Sequence, residues 1–344
     1  MKRLTIKYKL VCLAVACCAI FTACEQADLA NKSPMTFKNA QANPEAFLDA
    51  AANARLFAMT NNEFVYGTAD KGAYAQLSSF DFTENDHSAS ATFKVKGDTK
   101  YWTTGTYNFF SAYSTRFNNE LTTDNEPKFD AENSKFTFPY DITNQNEELW
   151  VAYLLNEESH ISTNATVDLE FNPALAKINF TIRKQQDNAD DGIKVTSISL
   201  QNVCTSGVFN LNPATTTGNP IAWDVVGRTN LDHACDIKIN ETATRVTDGT
   251  SARNGGFLVI PQDVTQMGIS VTYTYYSDVN CTEEEYSKTV NKPLPATANV
   301  QSWISGGNYT YNIVLAVETN DILFATPTVE TWRQAQTGGS IIIQ

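Results

Sequence analysis

From residue 167 onward, apolar and polar residues alternate one for one in stretch after stretch. Val167, Leu169 and Phe171 are separated by Asp168 and Glu170, and Ile178, Phe180 and Ile182 by Asn179 and Thr181. Ile198 and Leu200 lie between Ser197, Ser199 and Gln201; Ile269, Val271, Tyr273 and Tyr275 keep the period, as do Tyr309, Tyr311, Ile313, Leu315 and Val317. A period of two sends alternate side chains to opposite faces of a strand, so these stretches predict strands with one buried and one wet face. Antiparallel sandwiches are built this way. Asn212-Pro213-Ala214 and Ser305-Gly306-Gly307-Asn308 read as turns between them. Most crossovers carry no helical period, which argues against a parallel α/β fold. One stretch departs from the pattern. Asn43-Pro44-Glu45 looks like a helix start, with Asn as cap, Pro at the first helical position and an acid in the first turn. Phe47, Leu48, Ala51, Arg55 and Ala58 follow at helical spacing, so a helix is expected there. Ahead of it, within the polar residues 25–42, Pro34-Met35-Thr36-Phe37 reads as a short extended piece.

Composition agrees with an all-β chain. Fourteen Tyr and nineteen Phe accompany abundant Thr and Asn. The N-terminal residues need a different reading. Lys2, Arg3, Lys7 and Lys9 precede an apolar run, Leu10 to Phe21, that is too short for a membrane span of roughly 20 residues. A basic start, a short apolar run and small residues make a secretory signal, expected over residues 1–23. Its loss takes four basic residues and no acids, so the formal charge falls from −13 to −17. Such a surface repels nucleic acid and anionic lipid. The remaining length suits two domains, and the weakest patterning, around residues 159–173, marks the expected boundary.

No catalytic or metal-binding motif emerges. His87, His160 and His233 are the only histidines, and His233 with Cys235 is the single close His/Cys pair, far short of a metal site. Cys204, Cys235 and Cys281 remain after the signal, an odd and widely spaced set that is no disulfide framework. Glu283-Glu284-Glu285 reads as a solvated turn. Trp102, Trp150, Trp223, Trp303 and Trp332 are dispersed, as core residues are, with a glycan platform as the alternative. Neither enzyme activity nor a cofactor is expected.

Three resemblances sharpen this. Thr22-Ala23-Cys24 resembles the lipobox of bacterial lipoproteins, with Phe21 where Leu is usual. It implies cleavage before Cys24 and a diacylglycerol on its sulfur, which holds the chain to the outer membrane. Glu25-Gln26-Ala27-Asp28 resembles the acidic export signals of surface lipoproteins of Bacteroidetes. Further on, Tyr101-Trp102-Thr103-Thr104-Gly105, with Phe109, Ala112 and Tyr113, resembles a segment of the fimbrillin family. Phe171-Asn172-Pro173-Ala174-Leu175-Ala176-Lys177-Ile178 resembles its F-x-H-A-L-A-K-I strand, with Pro173 in place of His. Leu258-Val259-Ile260-Pro261-Gln262, then Trp303, Gly306, Tyr309 and Tyr311, then Thr331-Trp332, follow in the family's order.

This resemblance implies two transthyretin-like antiparallel β-sandwich domains, here expected over residues 56–165 and 166–344 after a tether of 24–55. It implies a structural subunit of adhesive cell-surface fimbriae whose partners are other fimbrillin subunits. A trypsin-like protease would remove an N-terminal strand by cutting after a basic residue. Arg55 is the expected site and Lys38 its rival. A neighbour's C-terminal strand would then fill the groove. In this chain Gly338-Gly339 forms a flexible joint before Ile341, Ile342 and Ile343, three β-branched residues expected to be the donor strand. A fimbrial tip or anchor subunit, or a surface glycan-binding lipoprotein of a nutrient-uptake system, are the alternatives.

Overall fold

The computed structural model describes residues 33–41, 53–61, 63–83, 88–118, 121–130, 132, 135–161, 166–185, 191–212, 220–248, 255–295 and 300–331. Among them there is no α-helix, only two short 3₁₀ turns, Thr115–Asn118 and Thr123–Asn125. The first strands are β1 (Phe37–Gln41), β2 (Asn53–Thr60), β3 (Glu63–Tyr66), β4 (Ala73–Thr83), β5 (Ser88–Val95), β6 (Thr106–Ser114), β7 (Lys128–Asp130), β8 (Lys135–Asp141), β9 (Trp150–Glu158), β10 (Val167–Asp168) and β11 (Asn172–Pro173). The rest are β12 (Ala176–Lys184), β13 (Gly192–Leu211), β14 (Ile221–Ile239), β15 (Thr244–Arg245), β16 (Phe257–Val259), β17 (Gly268–Tyr276), β18 (Glu284–Pro293), β19 (Gly307–Ala316), β20 (Asp321–Phe324) and β21 (Thr328–Thr331).

The strands form three sheets. The first has the order β10-β1-β5-β4-β2-β6-β9-β11, with β3 on β2. Its two end strands, β10 and β11, are separated by Leu169, Glu170 and Phe171 alone. A few residues of extended chain span at most about 3.5 Å each, so the sheet must curl until its ends nearly meet. Met35, Phe37, Leu56, Tyr107, Phe109, Val167 and Phe171 belong to the core that this curl encloses. The second sheet runs β18-β17-β13-β8-β7 with β14 on β13, and the third β15-β12-β19-β20 with β16 on β12 and β21 on β19. Their inner faces share one larger core, from Phe136 and Val195 to Tyr273 and Tyr311.

The alternating stretches of the sequence become β10, β12, β13, β17 and β19, with Ile178, Phe180, Ile182, Val271, Tyr273, Tyr309 and Tyr311 buried. Gly306 takes φ 72° in the turn before β19, a left-handed conformation that favours glycine. Two features were not visible in the pattern. β1 with β10 and β12 with β19 are parallel pairs. And β13, twenty residues long, serves two neighbourhoods: its first half pairs with β17 and its last six residues with β8. The sheets therefore divide differently from the expected limit at residue 165. β10 and β11 close the first sheet, while β7 and β8 extend the second.

The expected helix is overturned where the structure describes it. Asn53–Thr60 is a strand, β2, between β4 and β6, and all eight of its residues are buried. Residues 42–52, with the predicted helix start, lie outside the described residues. The physical reason is burial on both faces. Leu56 and Ala58 enter the core inside the curl, and Phe57 and Met59 enter the larger core. A strand buried on both sides loses its alternation and reads as a continuous apolar run. The helix preference of Ala, Leu and Met is a weak prior beside that packing.

Candidate functional site

Residues 33–41 are held as an inserted strand. The Trp102 amide donates to the Ser33 carbonyl at 3.0 Å, and the Met35 amide donates to the Lys100 carbonyl at 2.9 Å. β1 then lies antiparallel to β5 through five residue pairs, from Phe37 opposite Phe93 to Gln41 opposite Ala89. On its other side the Val167 amide donates to the Thr36 carbonyl and the Leu169 amide to the Lys38 carbonyl, both at 2.8 Å. Met35 and Phe37, two residues apart and so on one face, are 4% and 2% exposed. The Phe37 ring meets Tyr66 and Phe109 edge-on at 5.7 and 5.9 Å. Burial pushes the Tyr66 phenol above its usual range, and its oxygen accepts from the Lys100 amide at 3.1 Å. Lys38 and Asp168 form a 3.7 Å ion pair, but both are well exposed and such a pair contributes little.

Among the described residues, β10 pairs with β1 and with no other strand. Lifting 33–41 out would leave a slot one strand wide. The slot would expose the β5 backbone edge, release β10, and open two apolar holes among Tyr66, Phe93, Phe109 and Val167. Another extended segment with apolar residues two apart could restore both the ladder and the packing.

Arg55 sits in β2 on the opposite face from Leu56, with its side chain 3% exposed. Its Nε and Nη2 donate to the two Glu126 carboxylate oxygens at 2.9 and 3.2 Å, a bidentate pair. Glu126 is 2% exposed, the Arg55 guanidinium lies 5.3 Å from the Phe117 ring centroid, and Lys71 approaches Glu126 at 3.9 Å. The strand supplies the extended backbone that a protease needs, but it is an interior strand. Cys24 and the run Ile341, Ile342 and Ile343 lie outside the described residues.

Trp102, Trp150 and Trp303 are buried core residues rather than surface platforms. His160 is paired with Glu157 at 2.7 Å and meets the Trp102 ring edge-on at 4.9 Å. Burial holds the His233 imidazole below its usual range. Cys204, Cys235 and Cys281 are free thiols, and burial pushes Cys235 up to about 11. Among the described residues no group of three His, Cys, Asp or Glu is placed to hold a metal ion. Glu126 escaped the sequence reading, because nothing local in Pro127 or Asn125 marks it as the partner of a residue 71 positions away.

Several solved structures resemble this fold, three of them as follows. A candidate cell adhesion protein from Bacteroides uniformis is 16% identical with a TM-score of 0.50, covering 87% of this chain and 98% of that one. A fimbrial protein from Bacteroides vulgatus is 14% identical with a TM-score of 0.53, covering 83% and 93%. A candidate cell adhesion protein from Parabacteroides distasonis is 12% identical with a TM-score of 0.50, covering 89% and 99%. At such identities the likeness concerns the fold. A comparison with curated proteins returns no match. The sequence profile described as fimbrillin-like matches residues 40–332, most of the chain and nearly all of its strands. The chain belongs to the fimbrillin-like family.

Proposed function

We propose that this fimbrial subunit assembles by strand exchange, with β1 as a placeholder in its own groove. The observation that carries the reading is the slot just described. β1 and the residues leading into it are joined to the rest of the first sheet by backbone pairing, by two buried alternate side chains, Met35 and Phe37, and by the exposed Lys38–Asp168 pair. Ile341 and Ile343 have the same spacing as Met35 and Phe37. A donor segment from a neighbouring subunit would place them in the same holes, and the incoming strand would regain about 25 cal/mol per Å² of apolar surface. The chain would be exported as an outer-membrane lipoprotein through Cys24. It would then be released from its placeholder by a trypsin-like protease. Residues 42–52 contain no Lys or Arg, so Arg55 is the first basic residue after β1. Deleting residues 340–344 should leave a folded, exported subunit that forms no fibres under the electron microscope. Fibres of normal length from the truncated protein refute donation by this segment.

The burial of Arg55 favours a second reading, in which β1 is never removed. Such a subunit could donate its tail but accept none, and it would end a fibre as tip or anchor.

A further inference from the structure

We propose that the mouth of the sandwich formed by the second and third sheets binds a neutral saccharide. This goes beyond strand exchange and stands without it, because one subunit carries the whole cleft.

The inner face of β17 runs Ile269, Val271, Tyr273, Tyr275. Tyr273 closes the core: it is fully buried and its hydroxyl donates to Asn320 Oδ1 at 3.2 Å. One step further along the same face the two sheets part, and a cleft of about 330 Å³ opens between the ends of β12 and β19 on one side and β13, β17 and β18 on the other. That size lies within the range of small-ligand sites, about 300–1,000 Å³. Tyr275 faces Tyr286 directly across the β17–β18 ladder. Their rings stack at 5.1 Å and 16°. Tyr286 is 41% exposed on β18, which among the described residues pairs with β17 alone. An aromatic ladder thus continues out of the core into water at the lip of a cleft.

The polar groups there are of both kinds. Asp191 lines the cleft with Tyr275, and its carboxylate, with desolvation, pushes the phenol up to about 12, so it stays protonated in neutral solution. Lys184 is 7% exposed and its Nζ donates to the Asp191 carbonyl at 3.1 Å. Glu318 stands exposed on the rim, and Asn320 adds an amide. A carboxylate and an ammonium in one small cleft disfavour a strongly charged ligand of either sign. A sugar ring has the matching chemistry. One C–H face lies on an aromatic ring, and its hydroxyls both donate and accept.

The full chain should be screened against an array of neutral oligosaccharides, and the best binder titrated calorimetrically. We expect at least one to bind. Tyr286→Ala should weaken it by about tenfold, the loss of one aromatic contact. Tyr286→Phe should keep most of the affinity, and Asp191→Asn should weaken it comparably to Tyr286→Ala. Because Tyr286 is half in solvent on an edge strand, its substitution leaves folding intact, as circular dichroism would verify. Absence of binding to any neutral glycan, capture of peptides alone, or affinity unchanged in Tyr286→Ala overturns the proposal.

Discussion

The Phe37 ring sits against Tyr66 and Phe109 and is 2% exposed, so its truncation would empty a hole that the curled sheet cannot easily collapse into. Phe37→Ala should cost about 3–5 kcal/mol, read as a fall in the denaturant midpoint with an unchanged slope. A loss below about 1 kcal/mol would mean that the β1 groove is not filled as described. A second residue reports on pH. Asp321 accepts from Lys292 at 2.6 Å, and this bond holds its carboxyl below the usual carboxylate range. The pair joins β20 of the third sheet to β18 of the second. A carboxyl whose pKa is depressed by folding stabilises above its unfolded value, roughly 3.9, and that contribution fades as pH falls through the lower folded value. Melting temperatures of the native chain and Asp321→Asn should therefore differ at pH 6 and converge as acid is added below about pH 4. A gap that persists in strong acid contradicts the ion pair.

At the scale of elements, β1 is the unusual one. It is an interior strand, yet it lies at the start of the described chain and is tied to the following strand only through residues 42–52. Its removal should make the first sheet depend on an added strand. A chain lacking residues 33–41 should melt at lower temperature, and a synthetic peptide of residues 33–41 should restore it in proportion to ligand excess. A peptide in which Met35 and Phe37 are both replaced by Asp should not. Equal rescue by both peptides would show that backbone pairing alone governs the slot. β13 is the opposite case. Fifteen register pairs bind it to β14, and β17 and β8 flank its other edge, so it ties β8 into one sheet with strands far later in the chain.

At the scale of the whole molecule, the proposed loss of β1 carries a structural cost. The Arg55–Leu56 bond lies in a strand hydrogen-bonded on both sides, and cutting there strands Glu126 in the interior without its bidentate partner. Breaking a buried pair costs about 3–5 kcal/mol. The folded subunit should thus resist trypsin at Arg55 while exposed lysines such as Lys71 are cut. Processing should occur only on a chain still opening or closing during export. Mass spectrometry of surface protein checks this. A lipidated precursor beginning at Cys24 and a fibre subunit beginning at Leu56 are expected. Any other mature N-terminus refutes the assignment, and an unprocessed fibre subunit favours the tip or anchor reading.

Alternating patterns by themselves determined the all-β class and the positions of β12, β17 and β19. A strand wet on one face writes its period into its residues. The short extended piece at Pro34–Phe37 was legible for the same reason, and the family was legible in segments such as Leu258–Gln262. What tertiary structure decided was everything that depends on a partner distant in the chain. β2 is buried on both faces, so its residues carry no alternation and resemble a helix. The parallel pairing of β12 with β19 leaves no local mark, since either direction buries the same residues. Glu126 looks like any loop acid until the fold carries it to Arg55. Tyr275 and Tyr286 stand eleven positions apart in the sequence and become one aromatic surface only through the antiparallel register of two strands. Local physics chooses the element; long-range register chooses the neighbours, and the sites are made of neighbours.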